Sequence, residues 1–389
     1  MLRPGQSVRL SKLFINYQKA FGKKGELHMI RLGILMLEPD TTHPFYTGMA
    51  QTSKTIGVEV LLFSPLQIHP QTEWIQGYRF SPDTESWVND IFTIPEYIYD
   101  RTFYGDDFSS KQAKAIVQWL KNRDDLCFLG YGLPNKWTIY RHLKSQEKVS
   151  PYLPKTSLID SIPETIAKII REKNVIIKPF DGANGMGVFE IQSKNGHFQV
   201  RTTKKQEIAE KEMDEATLSR WLEGLVQKRS FILQAQLDNR DEQNRPFDLR
   251  LLLQKNENDK WSVSCKGFRV GIPGSLLTNI SSGASAIPYE EWKKKLKHYN
   301  WMYIESELRD IVRSLPEVLE EEFAPLFEIG LDIIIGRDSS VWILDMNSKP
   351  GHKMLQLLNE DEIQRLHSLP LRYCKALQRK MPATGGDSS

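Results

Sequence analysis

The sequence predicts a small α/β domain followed by a larger α+β region. Between residues 29 and 134, apolar runs alternate with helical stretches, as in parallel sheets with crossover connections. After residue 150, strand-like runs follow one another with helices grouped between them, which favours an α+β architecture. A length of 389 residues agrees with two or three domains.

The apolar runs of the first domain predict its elements. Strands are predicted at residues 30–37, 58–63, 97–99 and 126–129. A helix is predicted from 109 to 122, with Ser109 and Ser110 as N-caps. Residues 1–28 carry six Lys and Arg side chains and no continuous apolar stretch, which predicts a basic arm rather than a secretory signal.

The second region is predicted to contain more strands than the first. These strands lie at residues 174–179, 188–192, 231–237, 247–254 and 261–270. Helices are predicted at 163–173, 214–226 and 289–315, and a closing helical segment is expected to be interrupted at Pro370. The polar residues 381–389 predict a disordered tail.

Composition argues against several classes of protein. The formal net charge of +3 is too small to favour binding to nucleic acid or to a membrane surface. Cys127, Cys265 and Cys374 are far apart, which predicts neither a disulfide framework nor a zinc site and favours a reducing cytoplasm. Membrane insertion is not expected, because no apolar run approaches the ~20 residues that span a bilayer.

A hairpin near the C-terminal end carries the strongest functional signal. Two apolar runs flank the polar turn at residues 337–340, so they predict paired antiparallel strands. A turn centred between Asp338 and Ser339 places Asp332 opposite Asp345, with Asn347 on the same face as Asp345. Facing carboxylates destabilise a sheet unless a cation lies between them, which predicts a Mg²⁺ site. A register shifted by one residue, with one aspartate in solvent, is the alternative.

A glycine-rich loop separates the predicted strands at 174–179 and 188–192. Gly182, Gly185 and Gly187 run into a strand rather than a helix, unlike a Walker A loop or a dinucleotide fingerprint. Such a hairpin would cover a nucleotide as a lid, with Lys178 supplying positive charge to the phosphates. An ordinary tight turn is the alternative. A protein kinase is disfavoured, because the sequence has no His-Arg-Asp or Asp-Phe-Gly motif.

Further short segments accompany the lysine, the glycine loop and the acidic hairpin. They are Tyr99-Asp-Arg101, Asn135-Lys-Trp137, Pro151-Tyr-Leu-Pro154-Lys-Thr156, Pro246-Phe-Asp-Leu-Arg250 and Leu277-Thr-Asn279. As an ordered set, these motifs resemble the ATP-grasp superfamily, and more specifically its YheC/YheD group of endospore coat-associated proteins. The resemblance implies a Rossmann-like pre-ATP-grasp domain at residues 29–134. It also implies a two-subdomain ATP-grasp fold at 135–380, whose lid subdomain occupies about 155–235.

The resemblance implies ATP and Mg²⁺ as cofactors and a role for individual residues. The matched positions are Lys136, Lys178, Gly182, Gly185, Gly187, Gln234, Ala235 and Leu237 for ATP, Arg250, Arg269 and Asn279 for catalysis, and Asp332, Asp345 and Asn347 for the metal. The alternatives are an ordinary surface lysine for Lys136 or Lys178, a salt bridge with Asp248 or a neighbour for Arg250, and an Asx turn for Asn279. Asp345 stands where the superfamily usually has glutamate, which puts bridging of two metal ions in doubt.

The implied function is a ligase that activates the carboxylate of a small molecule or peptide as an acyl phosphate, for attack by an amine or a thiol. The alternative is a non-catalytic ATP-binding scaffold of the spore coat, with coat proteins as partners. The expected location is the cytoplasm or the coat. Asp100, Arg101 and Tyr104, near the end of a predicted strand, are expected either to contact substrate or to pack two domains together.

Overall fold

The structure is a computed structural model that describes residues 29–180, 187–204, 207–280 and 283–380. The predicted basic arm, the predicted tail, Gly182 and Gly185 lie outside the described residues. Within those residues the strands form three sheets, which follow one another along the chain.

The first sheet forms an α/β domain with helices on both faces. Its strand order is β4-β3-β2-β1-β5-β6, and the pairs formed by β2, β1, β5 and β6 are parallel, as predicted. Its elements are β1 (Ile30–Leu35), α1 (Pro44–Ile56), β2 (Val58–Phe63), β3 (Trp74–Ser81), β4 (Ser86–Thr93), β5 (Tyr97–Asp100), α2 (Phe108–Lys121) and β6 (Cys127–Phe128). Because β1 and β2 are apolar almost throughout, both of their faces can be buried.

The second sheet has an antiparallel order, β11-β10-β9-β8-β12-β7, and is called the lid sheet below. The elements from the preceding helix onward are α3 (Lys136–Lys144), β7 (Thr156–Leu158), α4 (Ile162–Glu172), β8 (Asn174–Pro179), β9 (Phe189–Lys194), β10 (His197–Lys204), β11 (Glu207–Met213), α5 (Glu215–Val226) and β12 (Phe231–Ala235). Side chains alternate along β8, so Val175 and Ile177 pack in the core with α4 and α5. Ile176 and Lys178 therefore point away from those helices, towards the rest of the molecule.

The third sheet, called the core sheet below, has the order β15-β14-β13-β16-β17. Its elements are β13 (Phe247–Lys255), β14 (Trp261–Val270), β15 (Ser285–Pro288), α6 (Tyr289–Lys295), α7 (Trp301–Glu322), β16 (Glu328–Ile335), β17 (Val341–Asn347) and α8 (Glu360–Lys380). Leu249, Leu251 and Leu253 of β13 pack in the same core as α6 and α7. The alternate residues Asp248 and Arg250 consequently lie on the opposite face, which is polar.

The α/β domain and the core sheet are joined by buried polar contacts. Arg101, only 2% exposed, forms an ion pair with Glu328 of β16 and donates a hydrogen bond to the carbonyl of Pro350 at 2.6 Å. Lys349 donates to Asp100 Oδ1 at 2.7 Å. The structure thus favours domain packing over substrate contact for Asp100 and Arg101.

Several predicted elements are corrected by the structure. Asp107, not Ser109 or Ser110, caps α2, because its carboxylate accepts the N–H of Ser110 at 2.9 Å. The predicted helix at 289–315 is two helices, α6 and α7, because the side chain of Asn300 caps the N-terminus of α7. Helix α8 continues through Pro370, as its packing against α1 and β1 outweighs the missing N–H. Hairpins β3–β4 and β10–β11 were not predicted.

Candidate functional site

A cleft of about 490 Å³ lies between the polar face of the core sheet and the lid sheet. Residues of both sheets line it, together with Lys136 and Phe103. The structure brings the described candidate site residues to this one cleft, apart from Gly187. The residues in question are Lys136, Lys178, Gln234, Ala235, Leu237, Arg250, Arg269, Asn279, Asp332, Asp345 and Asn347. Gly187 ends the glycine loop beside Pro179 with a φ of +74°.

The two aspartates of the acidic hairpin pair as predicted, although a β-bulge interrupts the pairing of β16 with β17. Asp332 is opposite Asp345, whereas the next pair towards the turn is Ile333 with Ile343. Leu344 therefore has no partner on β16 and forms a bulge, which adds one residue to β17. The bulge restores the alignment of the two aspartates that a regular hairpin with this turn would have offset by one residue. The predicted turn centre is therefore wrong, because the pairs nearest the turn are centred on Asp338 and follow the shifted register. Beyond the bulge, Asp332 and Asp345 have the predicted register.

Arginines surround Asp332 on the core sheet. Arg250 is directly opposite Asp332 on the neighbouring strand, and its Nη1 forms an ion pair with Asp332 Oδ1. Arg269 Nη2 lies 3.0 Å from Asp332 Oδ2. Burial raises the pKa of Asp332, but the two guanidinium groups outweigh burial and lower the pKa to about 2. Arg250 thus forms a salt bridge, as the alternative for this residue expected, but its partner is the neighbouring Asp332 rather than Asp248.

Asp248 also lines the cleft, although it was not predicted as a site residue. It is 1% exposed and binds Arg269 with both oxygens, at 2.8 Å to Nε and 2.6 Å to Nη2. Thr278 donates its hydroxyl to Asp248 Oδ2, which ties the segment carrying Asn279 to the core sheet. The signal available in the sequence was the alternation that places Asp248 on the same face as Arg250.

One glycine allows this arginine packing. Gly330 of β16 lies opposite Asn347, and a Cβ there would be 2.3 Å from Arg250 Nη2 and 2.6 Å from Pro350 Cβ. Only a residue without a side chain lets the guanidinium lie flat against the strand. Gly330 thus helps to place Arg250 beside Asp332.

Asp345 forms its ion pair with a lysine, whereas Asp332 is paired with arginines. Lys136 is the first residue of α3, and its Nζ lies 2.6 Å from Asp345 Oδ2. Asn347 donates Nδ2 to the same oxygen at 3.4 Å, so its own Oδ1 points elsewhere. Within the described residues, Asp345 Oδ1 has no hydrogen-bond partner.

The donor chemistry around Asp345 suits a hard cation. Mg²⁺ prefers oxygen ligands, commonly one or two carboxylates completed by water or phosphate. Asp345 and Asn347 offer oxygens that no described residue occupies, whereas both oxygens of Asp332 are engaged by arginines. Among the described residues no group of three His, Cys, Asp or Glu could hold a metal ion.

Lys178 is the second lysine of the cleft. Its Nζ donates to Gln234 Oε1 at 3.1 Å and to the carbonyl of Leu344 at 3.4 Å. Burial, followed by the positive charge of Lys136, lowers the pKa of Lys178 to about 8. The lysine thereby connects the lid sheet to the bulge of β17.

The end of β12 forms the other wall of the cleft. The N–H of Ala235 donates to the carbonyl of Lys155, and the N–H of Gln236 donates to the carbonyl of Asn174. In the described part of the chain, the N–H of Leu237 has no such acceptor. Leu237 is therefore the residue of this segment whose N–H is open to a ligand.

Comparisons with known proteins agree with this architecture. A family model described as YheC/D like ATP-grasp matches residues 125–377, more than half of the chain. The endospore coat-associated protein YheC of Bacillus subtilis (strain 168) is 32% identical over 352 residues, which cover 90% of this chain and 96% of that protein. This chain belongs to the YheC/D-like ATP-grasp family.

More distant similarities extend the comparison. The endospore coat-associated protein YheD of the same organism is 23% identical over 330 residues, covering 83% of this chain and 71% of that protein. A solved structure of the ATP-grasp ligase PsnB, complexed with a minimal precursor, has a TM-score of 0.51 and 13% identity. The alignment covers 91% of this chain and 100% of that one, so the structural similarity extends over nearly the whole molecule. No helix of the described residues is both long and apolar enough to cross a membrane.

Proposed function

We propose that this protein is an ATP- and Mg²⁺-dependent ligase that activates a carboxylate as an acyl phosphate. The observation that supports this proposal best is the convergence of four cationic side chains and two facing aspartates in one cleft. Those cations are Lys136, Lys178, Arg250 and Arg269. A site of this composition suits a polyphosphate, because fixed positive charges stabilise phosphoryl oxygens in a partly dry cleft.

Each part of the cleft has a proposed role. The N–H of Leu237, with the adjoining main chain of Gln234 and Ala235, would bind the edge of adenine. Lys136 and Lys178 would hold the α- and β-phosphates beneath the loop containing Gly182, Gly185 and Gly187. Arg250, Arg269 and Asn279 would face the transferred phosphoryl group and the acceptor.

The proposed metal site centres on Asp345 and Asn347, with Asp332 beside them. Bound there, Mg²⁺ would supply positive charge that neutralises the phosphates. Asp332 would serve mainly to fix Arg250 and Arg269, since those arginines already engage both of its oxygens.

The proposed reaction needs no nucleophilic side chain. A substrate carboxylate oxygen attacks the γ-phosphorus, the bond from that phosphorus to the bridging oxygen breaks, and ADP leaves with the electron pair. An amine or a thiol then attacks the acyl carbon and displaces phosphate, and the nucleophile loses its proton to solvent. Arg250 and Arg269 would counter the charge on the phosphoryl oxygens in the first step.

The wider organisation is proposed to follow the same family. Residues 29–134 would act as a Rossmann-like pre-ATP-grasp domain, and residues 135–380 as the ATP-grasp domain with its lid at about 155–235. The proposed location is the cytoplasm, and the names of YheC and YheD favour association with the spore coat. The proposed substrate is the carboxylate of a small molecule or a peptide.

The same names favour a second candidate, a non-catalytic ATP-binding scaffold of the coat with coat proteins as partners. One experiment separates the two functions. The purified full chain is incubated with ATP, Mg²⁺ and pooled metabolites and peptides, and phosphate release is measured beside an ATP-dependent shift in thermal midpoint. Release that requires the added pool supports the ligase. A thermal shift without release supports the scaffold. If the protein shows neither phosphate release nor a thermal shift, ATP binding itself is contradicted.

A further inference from the structure

The chain that follows the acidic hairpin is bound by groups from outside the two sheets of the cleft. Strand β17 ends at Asn347, and the next four residues, 348–351, are called the exit segment below. Three of these four residues line the cleft. The groups that bind them come from the α/β domain and from its connection to α3. The position of this cleft wall therefore depends on a part of the molecule that the proposed function has not used.

Lys349 connects the exit segment to the α/β domain. Its Nζ donates to Asp100 Oδ1 at 2.7 Å and to the carbonyl of Thr102 at 2.9 Å. The side chain of Asp100 is 1% exposed and lies outside the cleft, and its Oδ2 is 3.1 Å from Lys121 Nζ. A buried carboxylate with two cationic partners is expected to keep a fixed position. Lys349 is therefore held by its ammonium group at the base of the exit segment.

The exit segment is also held on either side of Lys349. Leu133, which lies between β6 and α3, donates its N–H to Ser348 Oγ at 2.9 Å. Arg101 Nη2 donates to the carbonyl of Pro350 at 2.6 Å. Three consecutive residues are thus bound, so the exit segment should move only together with the α/β domain.

Pro350 carries this constraint into the proposed phosphoryl site. A Cβ on Gly330 would be 2.6 Å from Pro350 Cβ and 2.3 Å from Arg250 Nη2, so the proline and the guanidinium lie on the same glycine. Gly330 is also the residue opposite Asn347 in the hairpin. A shift of the exit segment would therefore displace Arg250 and Asn347 together.

We infer that Arg101 and Asp100 are positioning residues, which hold the exit segment so that the proposed metal-binding and phosphoryl-binding groups keep their places. The inference rests on the proposed function and adds to it two residues that lie outside the cleft. Arg101 suits this role because its planar fork binds two acceptors at once, the carboxylate of Glu328 and the carbonyl of Pro350. Removing a group that orients a metal ligand in this way commonly costs about 10- to 100-fold in metal affinity or activity.

The test is Arg101→Lys, with isothermal titration calorimetry of the full chain against ATP in Mg²⁺, ATP in EDTA, and adenosine. A lysine keeps a positive charge for Glu328 but has no fork to reach the carbonyl of Pro350 as well. We expect the affinity for ATP in Mg²⁺ to fall about tenfold, with a smaller loss in EDTA and no loss for adenosine. Circular dichroism checks that the variant is folded.

Arg31→Lys is the matched control. Arg31 also binds a glutamate and a main-chain carbonyl, Glu96 and Ile94, but both belong to the α/β domain itself. This variant makes the same chemical change without touching the exit segment. All three affinities should equal those of the wild type.

Two results for Arg101→Lys would overturn the inference. One is an unchanged affinity for ATP in Mg²⁺, and the other is an equal loss for ATP and adenosine, which a general structural effect would produce. If Arg101→Lys does not fold, Ser348→Ala removes the acceptor of Leu133 outside the cleft, and the same Mg²⁺-dependent loss should appear at about threefold. An unchanged affinity in that variant would again overturn the inference. Wild-type protein whose ATP affinity is independent of Mg²⁺ would overturn the proposed metal site, and this inference with it.

Discussion

Asp332 and Asp345 are opposite residues of one hairpin, yet their surroundings differ sharply. Asp332 is 8% exposed, and arginines engage both of its oxygens. Asp345 is half-buried, and only its Oδ2 has partners among the described residues. A carboxylate bound by two guanidinium groups organises those groups, whereas a carboxylate with an open oxygen can take a ligand. Asp332 is therefore the aspartate that holds arginines, and Asp345 is the aspartate proposed to bind a ligand.

The largest effect on stability is expected at Asp332. Asp332→Asn leaves Arg250 and Arg269 buried without a full counter-charge, so the free energy of unfolding should fall by about 3–5 kcal/mol. Urea denaturation at neutral pH measures this change. The folded pKa of Asp332, about 2, lies below the usual 3.8. Its stabilisation is thus present above about pH 4 and lost as the pH falls through 2, so the difference from wild type should shrink on acidification.

At Asp345 the expected loss is in binding rather than in stability. Asp345→Ala should reduce ATP affinity in Mg²⁺ by at least about tenfold, or 1.4 kcal/mol. The free energy of unfolding should change by less than about 1 kcal/mol, because only a partly exposed ion pair is removed. Calorimetric titration with and without Mg²⁺ measures the first quantity, with the exposed Asp124→Ala as control. Unchanged Mg²⁺-dependent affinity would remove Asp345 from the proposed metal site.

The pH dependence of ATP binding should reflect the protonation of Lys178 in the cleft. The pKa of Lys178 is lowered to about 8, so in the free protein the charged form dominates below this pH and is lost above it. ATP affinity should therefore decline between pH 7 and pH 9, by up to about tenfold per unit above the pKa. Lys178→Met should bind weakly with no such decline. A wild-type profile that is flat through this range would contradict the role of Lys178.

The smallest change in the free energy of unfolding is expected for Lys136→Met. The Lys136–Asp345 pair is partly exposed, so its loss should change the free energy of unfolding by only about 0–1 kcal/mol. Removing the lysine frees Asp345 Oδ2, so Mg²⁺ titrated without nucleotide should bind more tightly than in wild type. Calorimetry with MgCl₂ alone tests this expectation. Weaker cation binding in the variant would show that Asp345 is not the metal ligand.

Much of the fold followed from local pattern, although polar hairpins did not. The strands Val58–Phe63, Asn174–Pro179 and Trp261–Val270 have the bounds that their apolar residues predicted. Strand β11 escaped prediction because six of its seven residues are exposed and its sequence lacks a buried face. Local sequence also suggested one helix where Asn300 divides two, since the charged pattern continues through the break.

The candidate site was predictable where residues share a strand. Asp332, Asp345 and Asn347 were found from alternation and the turn, and the bulge at Leu344 brought the aspartates into line. Asp248 was not recognised, because its partners Arg269 and Thr278 lie 21 and 30 residues away in the chain. Nothing in the sequence around Lys349 indicated its hydrogen bond to Asp100, 249 residues distant.

By itself, the sequence determined which residues face the same side of each strand, because alternation is a local property of extended backbone. It also supplied the cationic and acidic side chains that the cleft assembles. The tertiary structure alone decided which charges pair, placing Arg250 on Asp332 and leaving Asp345 Oδ1 without a partner among the residues that the structure describes. Those pairings depend on which strands become neighbours and at what register, and both follow from the packing of segments that are far apart in the chain.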